Sequence, residues 1–227
     1  MRTVTFLAAA LVAAGPLAAQ AAPAAKPAKP AEHGHADHAA DHGKGGIPAG
    51  WSLRADRGDT AGIRMMPMGD EMHVMTGPAT ILWRAADAVS GNFHAVANFT
   101  RPKAPAHAEA YGLFFRGRSL DGAGQQYTYF LVRGDGKYLI KVRDGAETRN
   151  VVEGWTEHAA VARADSTGKV TDKLEIDATT PGKVRFLVNG QAVHEAAMSA
   201  EEIGGAVGLR VNHNLMLHVA GFEVHKM

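Results

Sequence analysis

Lys183-Val184-Arg185-Phe186-Leu187-Val188-Asn189-Gly190-Gln191-Ala192-Val193-His194-Glu195-Ala196 is two alternating runs joined by an Asn-Gly pair. Asn and Gly tolerate the positive φ angles of a tight hairpin turn, so the stretch predicts two antiparallel strands. Working outward, Gln125 to Val132 and Lys137 to Arg143 flank Arg133-Gly134-Asp135-Gly136 and predict a second hairpin. Gly91 to Thr100 reads as a strand with Phe93, Ala95, Ala97 and Phe99 on one face and His94, Val96 and Asn98 on the other. Ala110 to Arg116, Leu174 to Asp177, Ala206 to Val211 and Leu215 to Val224 read as further strands. Thr80 to Val89 carries a helical stripe as well as the Ile81-Leu82-Trp83 run of a buried strand, and its turn-rich surroundings favour strand. Ser199-Ala200-Glu201-Glu202 before Gly204-Gly205 is a capping box, predicting one helical turn near 199–203. About a dozen short strands without strand-helix alternation predict an all-β sandwich or barrel.

The amino terminus has a different character. Arg2, the apolar run Val4 to Ala14, the Gly15-Pro16 break and Ala19-Gln20-Ala21 read as an export signal over residues 1–21. The apolar run falls short of the roughly 20 residues of a membrane span, and no later segment supplies one. Residues 22–46 are Ala/Pro/Lys-rich, then His- and Gly-rich, without a bulky apolar side chain, and read as a disordered tether. Residues 47–227 are then one β-sandwich domain, periplasmic or secreted. The chain has no cysteine, so its stability rests on burial without disulfides. Losing Arg2 with the signal takes the formal net charge from +1 to 0, which argues against a nucleic-acid partner.

The order of segments is distinctive: Gly112-Leu113-Phe114-Phe115-Arg116, Gln126-Tyr127-Thr128-Tyr129-Phe130, Gly134-Asp135-Gly136-Lys137-Tyr138, and Trp155-Thr156-Glu157-His158. Lys173-Leu174-Glu175-Ile176, Val184 to Gly190 and Gly205-Ala206-Val207-Gly208-Leu209 follow. From about Trp51 to Val224 this succession resembles the concanavalin A-like lectin/glucanase superfamily, in particular laminin-G-like bacterial domains near the 3-keto-disaccharide hydrolase family. The resemblance implies a jelly-roll sandwich of two curved antiparallel sheets. It does not imply one function, because such a scaffold hosts lectins, hydrolases and structural modules alike.

The residues narrow the chemistry. Hydrolases of the superfamily carry an E-x-D-x-(x)-E strand, because glycoside cleavage needs two carboxylates flanking one bond. Glu175-Ile176-Asp177 starts such a strand, but Ala178-Thr179-Thr180 follow and the second glutamate is missing. Leu174 and Ile176 should then face the core, and Glu175 and Asp177 a solvated face. Gly117-Arg118-Ser119-Leu120-Asp121 lacks the last glycine of a nucleophile elbow.

Two places suit metals. His33, His35, His38 and His42, with Asp37 and Asp41, concentrate ligands for weakly held Zn, Ni or Cu in the tether. Met65-Met66-Pro67-Met68-Gly69-Asp70-Glu71-Met72-His73-Val74-Met75 mixes thioethers with imidazole, a set suited to Cu(I), with Met72 and His73 as ligands. Methionine also fills core gaps, and alternation sends Met72, Val74 and Thr76 one way and His73 and Met75 the other.

Sugar recognition needs aromatic faces and forked polar groups on a sheet or its rim. Tyr127 and Tyr129 share a strand face, Arg116, Arg133 and Arg143 lie on or beside neighbouring strands, and Asn212-His213-Asn214 forms a polar strand-end loop. The ligand-binding set expected here is Arg116, Tyr127, Tyr129, Arg143, Asn212 and His213. The resulting expectation is an exported, non-catalytic module for carbohydrate or glycoconjugate. Its rivals are a periplasmic copper-type binding protein and a glycoside-cleaving enzyme of the 3-keto-disaccharide hydrolase type.

Overall fold

In the computed structural model residues 46–227 are described. The expected signal peptide and nearly all of the tether, His33, His35, His38 and His42 included, lie outside the described residues.

Fifteen strands follow in chain order: β1 (Trp51–Ala55), β2 (Arg64–Met68), β3 (Glu71–Met75), β4 (Thr80–Arg84), β5 (Phe93–Arg101), β6 (Ala110–Arg118), β7 (Gln126–Arg133), β8 (Lys137–Asp144), β9 (Glu147–Asn150), β10 (Thr156–Glu157), β11 (Val170–Asp177), β12 (Lys183–Val188), β13 (Gln191–Ala197), β14 (Ala206–Val211) and β15 (Met216–Lys226). Every pairing is antiparallel. The first sheet has the order β1-β4-β14-β6-β7-β8-β10, with β9 beside β8, and the second β13-β12-β11-β5-β15-β3-β2. Long-range neighbours such as β14 beside β6 and β15 beside β5 give the non-sequential strand order of a jelly roll.

Period-2 patterning puts one face of each sheet into a shared core. Phe93, Ala95, Ala97 and Phe99 of β5 are fully buried, as are Leu174 and Ile176 of β11. Phe186 of β12 stacks edge-on against Phe115 and Phe130 of the opposite sheet, with ring centroids 6.0 and 5.4 Å away. Each such side chain contributes about 1.5–3 kcal/mol by leaving water. Gly112 of β6 leaves no room for a side chain: an added Cβ would lie 2.1 Å from the Phe130 carbonyl oxygen.

The Thr80–Val89 segment resolves as strand β4 followed by a single 3-10 turn, Ala85–Asp87. The helical stripe there is the two-sided burial of β4, whose first four residues are all buried. The one α-helix among the described residues, α1 (Ala200–Ile203), begins at Ser199 with both arms of the capping box in place.

The Asn189-Gly190 turn has positive φ at both residues, +51° and +79°. Asn189 also ties the turn to the core. Its Nδ2 donates to Asp172 Oδ1 at 3.0 Å and to the Ala160 carbonyl at 2.9 Å, while its Oδ1 accepts from the Lys173 amide. Asp172 is wholly buried, which pushes its carboxyl up, and the donors Ala162 N, Asn189 and Tyr111 pull it back towards ionisation. Asn189→Gly should therefore keep the turn and still lose about 2 kcal/mol, because a buried acceptor is left short of a donor. Asn189→Ala should lose about 1 kcal/mol more from left-handed strain. Urea unfolding midpoints check both, and equal stability of wild type and Asn189→Gly would refute the role given to the side chain.

Candidate functional site

The outer face of the first sheet carries an unusual load for a surface. Ile81, Trp83, Phe114, Tyr127, Tyr129 and Leu131 form a second apolar cluster there, separate from the inter-sheet core. In its midst stands Arg210 of β14, 5 % exposed. The chain loop after β1 brings Asp56 to it, with Arg210 Nη1 donating to Oδ1 at 2.7 Å and Nη2 to Oδ2 at 2.5 Å. Arg210 also lies 5.6 Å over the Tyr129 ring and within 3.4 Å of the Tyr127 hydroxyl. A second guanidinium, Arg143 of β8, reaches the same Asp56 Oδ2 at 3.3 Å and lies 6.0 Å over the Tyr127 ring.

Electrostatics follows from this packing. Burial alone would push the Asp56 carboxyl up, but the hydrogen bond and charge of Arg210, then Arg143 and His213, hold it below the usual aspartate range. Arg210 is penalised by burial and still held above its ordinary value by Asp56 and the two tyrosines. Burial raises the hydroxyls of Tyr127 and Tyr129, so both stay protonated donors.

Over this floor opens a cleft of about 650 Å³ lined by Arg54, Asp56, Arg57, Ala123, Gln125, Arg143, Gly145, Ala146, Thr148 and His213. One wall is the 119–124 loop, pinned by Arg54 Nη1 donating to the Leu120 and Gly122 carbonyls at 2.9 and 2.6 Å. Gln125 is 5 % exposed, and its Oε1, like Arg143 Nε, is buried without a hydrogen-bond partner among the described residues. A smaller pocket of about 120 Å³ is lined by Arg116, Arg118, Gln126, Tyr127, Val142, Arg143, Asp144 and Arg149. The register turns Arg118, Gln126, Val142, Asp144 and Arg149 to the opposite face of the sheet from Tyr127 and Arg143. Arg116 has φ +52° and sits in a β-bulge between Phe115 and Arg118. A non-glycine residue there costs about 1–3 kcal/mol, and bulges of this kind re-aim a side chain.

Four of the six expected ligand-binding residues line one pocket or the other. Arg116 and Tyr127 line the smaller pocket, His213 the larger, and Arg143 both. Tyr129 packs 5.7 Å from Tyr127, but the two rings are 6 % and 1 % exposed and present no open stacking surface. Asn212 lies at the rim, its carbonyl accepting from Thr76 Oγ1 and its amide donating to Ala110. Arg54, Asp56, Gln125, Arg149 and Arg210 carried no sequence signal. Asp56 and Arg210 are 154 residues apart and meet only through the fold.

The Glu175-Ile176-Asp177 strand belongs to the second sheet, away from the cleft. There Glu175 departs from the expected solvated face: it is 8 % exposed, held by His94 Nε2 at 3.0 Å and Lys173 Nζ at 3.1 Å. Asp177 pairs with Arg185 and Thr179. The methionine-rich stretch divides as alternation requires. Met65 is in the core and Met72 packs against it, whereas Met66 and His73 stand opposite each other on the outer face of β2 and β3. His218 of β15 extends that row, its ring 4.9 Å from that of His73. Among the described residues no three His, Cys, Asp or Glu side chains cluster as a metal site.

The architecture is that of the concanavalin A-like jelly-roll sandwiches. A carbohydrate binding module from Bacillus subtilis superposes with a TM-score of 0.56 at 13 % identity, over 78 % of this chain and 95 % of that one. The β-glucanase of Bacillus licheniformis gives 0.55 at 10 % identity, over 80 % and 94 %. A β-1,3-1,4-glucanase derived from a mouse hindgut metagenome gives 0.53 at 11 %, over 79 % and 94 %. No family model matches the sequence. No curated protein matches it either.

Asp56→Asn removes the charge that answers Arg210 and should lower stability by about 3 kcal/mol near neutral pH. Because the folded carboxyl is depressed, its contribution is complete above the aspartate range of the unfolded chain and is lost as pH falls through the lower folded value. The gap between wild type and variant should therefore close in acid, as measured by urea unfolding across a pH series. A gap independent of pH would refute the ion-pair account.

Proposed function

We propose that the domain is an exported, non-catalytic carbohydrate-binding module whose ligand lies in the cleft on the outer face of the first sheet. The observation that carries this reading is the cleft itself. It is of ligand size, open, and lined by planar forked groups (Arg54, Gln125 and Arg143, with His213) of the kind that pair with vicinal hydroxyls. Asp56 is the one carboxylate in its lining, and Arg210 and Arg143 keep it ionised, so it is unsuited to donate a proton to a leaving group. The likeness of fold to a carbohydrate binding module and to glucanases is in keeping with a saccharide ligand. Residues 1–21, read as an export signal, support a periplasmic or secreted location.

On a glycan array the full chain should retain a defined saccharide class, and Arg143→Ala should weaken that binding at least tenfold, the loss expected for one charge-assisted donor. Glu175→Gln should leave it unchanged. Retention of no glycan, or equal retention by Arg143→Ala, would overturn the proposal.

A second reading, soft-metal binding, is favoured by the row Met66, His73 and His218. His73 Nε2 is buried without a partner among the described residues, and burial, then the charge of His218, lowers its pKa, so the ring is neutral as a ligand must be. Two imidazoles and a thioether suit Cu(I). Titration of the full chain with Cu(I) against a chromophoric chelator should show one equivalent that His73→Ala/His218→Ala removes. An unchanged stoichiometry discards this reading.

A further inference from the structure

Across the sheet from the cleft lies a concentration of positive charge that recognition of a neutral sugar leaves without a purpose. Arg116, Arg118 and Arg149 converge on the smaller pocket. None of the three has a carboxylate oxygen within 4.0 Å among the described residues, whereas Arg143, on the other face, is paired to Asp56. The only carboxylate in the lining, Asp144, already accepts from Gln126 Nε2 at 2.8 Å. Like charges gathered this way repel each other. Burial first and then Arg118 pull the Arg116 guanidinium below its ordinary value, Glu202 opposes, and Arg149 adds to the effect.

The cluster is also held in place by the fold. The β-bulge and the left-handed backbone at Arg116 turn its side chain away from the regular alternation of β6. Arg118 Nη2 donates to the Glu201 carbonyl of α1, which fixes that guanidinium from the other side. Strain and repulsion maintained together are the signature of a site completed by a ligand. Guanidinium forks match planar or tetrahedral oxyanions. The size of the pocket decides what enters: about 120 Å³ holds an anionic substituent but no pyranose ring.

We infer that this pocket takes the carboxylate or sulfate of an acidic saccharide, held by Arg116, Arg118 and Arg149. The inference rests on the carbohydrate reading and narrows it to one class.

The test uses the full chain on an array holding uronate-bearing, sulfated and neutral glycans, followed by titration calorimetry on the best binder and its chemically neutralised form. Methyl esterification serves for a carboxylate ligand and desulfation for a sulfated one, so the two arms distinguish the sources of the anion. Acidic glycans should dominate the array, and neutralisation should cost at least tenfold in affinity, as should Arg149→Gln or Arg116→Gln/Arg149→Gln. Arg149 is exposed on β9, so its single variant keeps the result readable if the double variant folds poorly. Binding of neutral glycans alone, or acidic binding that these variants leave intact, overturns the inference while the carbohydrate reading stands. No glycan bound at all removes both.

Discussion

A guanidinium closed among aromatic rings has to be answered by a carboxylate, and in this domain Arg210 is answered by Asp56. The rest of the outer face is arranged around that requirement. Asp56 follows β1, so the pair draws the start of the domain across the sheet to β14. The spare acceptor capacity of Asp56 then orients Arg143 on β8. Tyr127 and Tyr129 wall the pair from water, and burial keeps their hydroxyls protonated. An ion pair this deep adds little net stability over an apolar equivalent, since desolvating two charges costs several kcal/mol per ion. What it contributes is position. It sets a rigid polar floor where an ordinary sandwich face would be flat and wet.

The same face explains why its aromatic residues do not behave as a sugar-stacking platform. Trp83, Phe114, Tyr127 and Tyr129 form a satellite core beneath the arginines instead of an exposed ledge. Recognition in such a site falls to hydrogen bonding and charge, which are directional and demand a matching ligand geometry. The 119–124 loop, tied down by Arg54, converts the flat sheet into a cleft with a wall.

Much of the scaffold could be read from residue order, because alternation and turn chemistry act locally. The Asn189-Gly190 hairpin, the Phe93-to-Phe99 face and the Ser199 capping box each follow from a few neighbouring residues. The site divides differently. Tyr127, Arg143 and His213 were accessible because they sit at strand positions or strand ends whose faces alternation assigns, whereas the β-bulge takes Arg116 out of that alternation. Asp56, Gln125 and Arg210 were not, since their roles arise from contacts across the whole chain and from burial that no local pattern encodes. Glu175 shows the reverse error: alternation sent it correctly to an outer face, yet His94 and Lys173 cover it there, so facing outward did not mean facing water.

Charge makes the same point at a larger scale. A formal balance near zero argues against a polyanion partner when charge is averaged over the chain. The fold does not average it. Three acidic side chains of the second sheet are matched with Lys or Arg, Glu175 with Lys173, Asp177 with Arg185 and Glu195 with Lys183. The first sheet instead collects Arg54, Arg57, Arg116, Arg118, Arg143 and Arg149 around two hollows, one on each face, whose linings hold only Asp56 and Asp144 as carboxylates. Field strength at a site depends on the charges within a Debye length of about 10 Å, not on the sum over the molecule. A neutral chain can thus present a strongly cationic cleft, because topology sets the excess arginines on one sheet and pairs their would-be partners on the other.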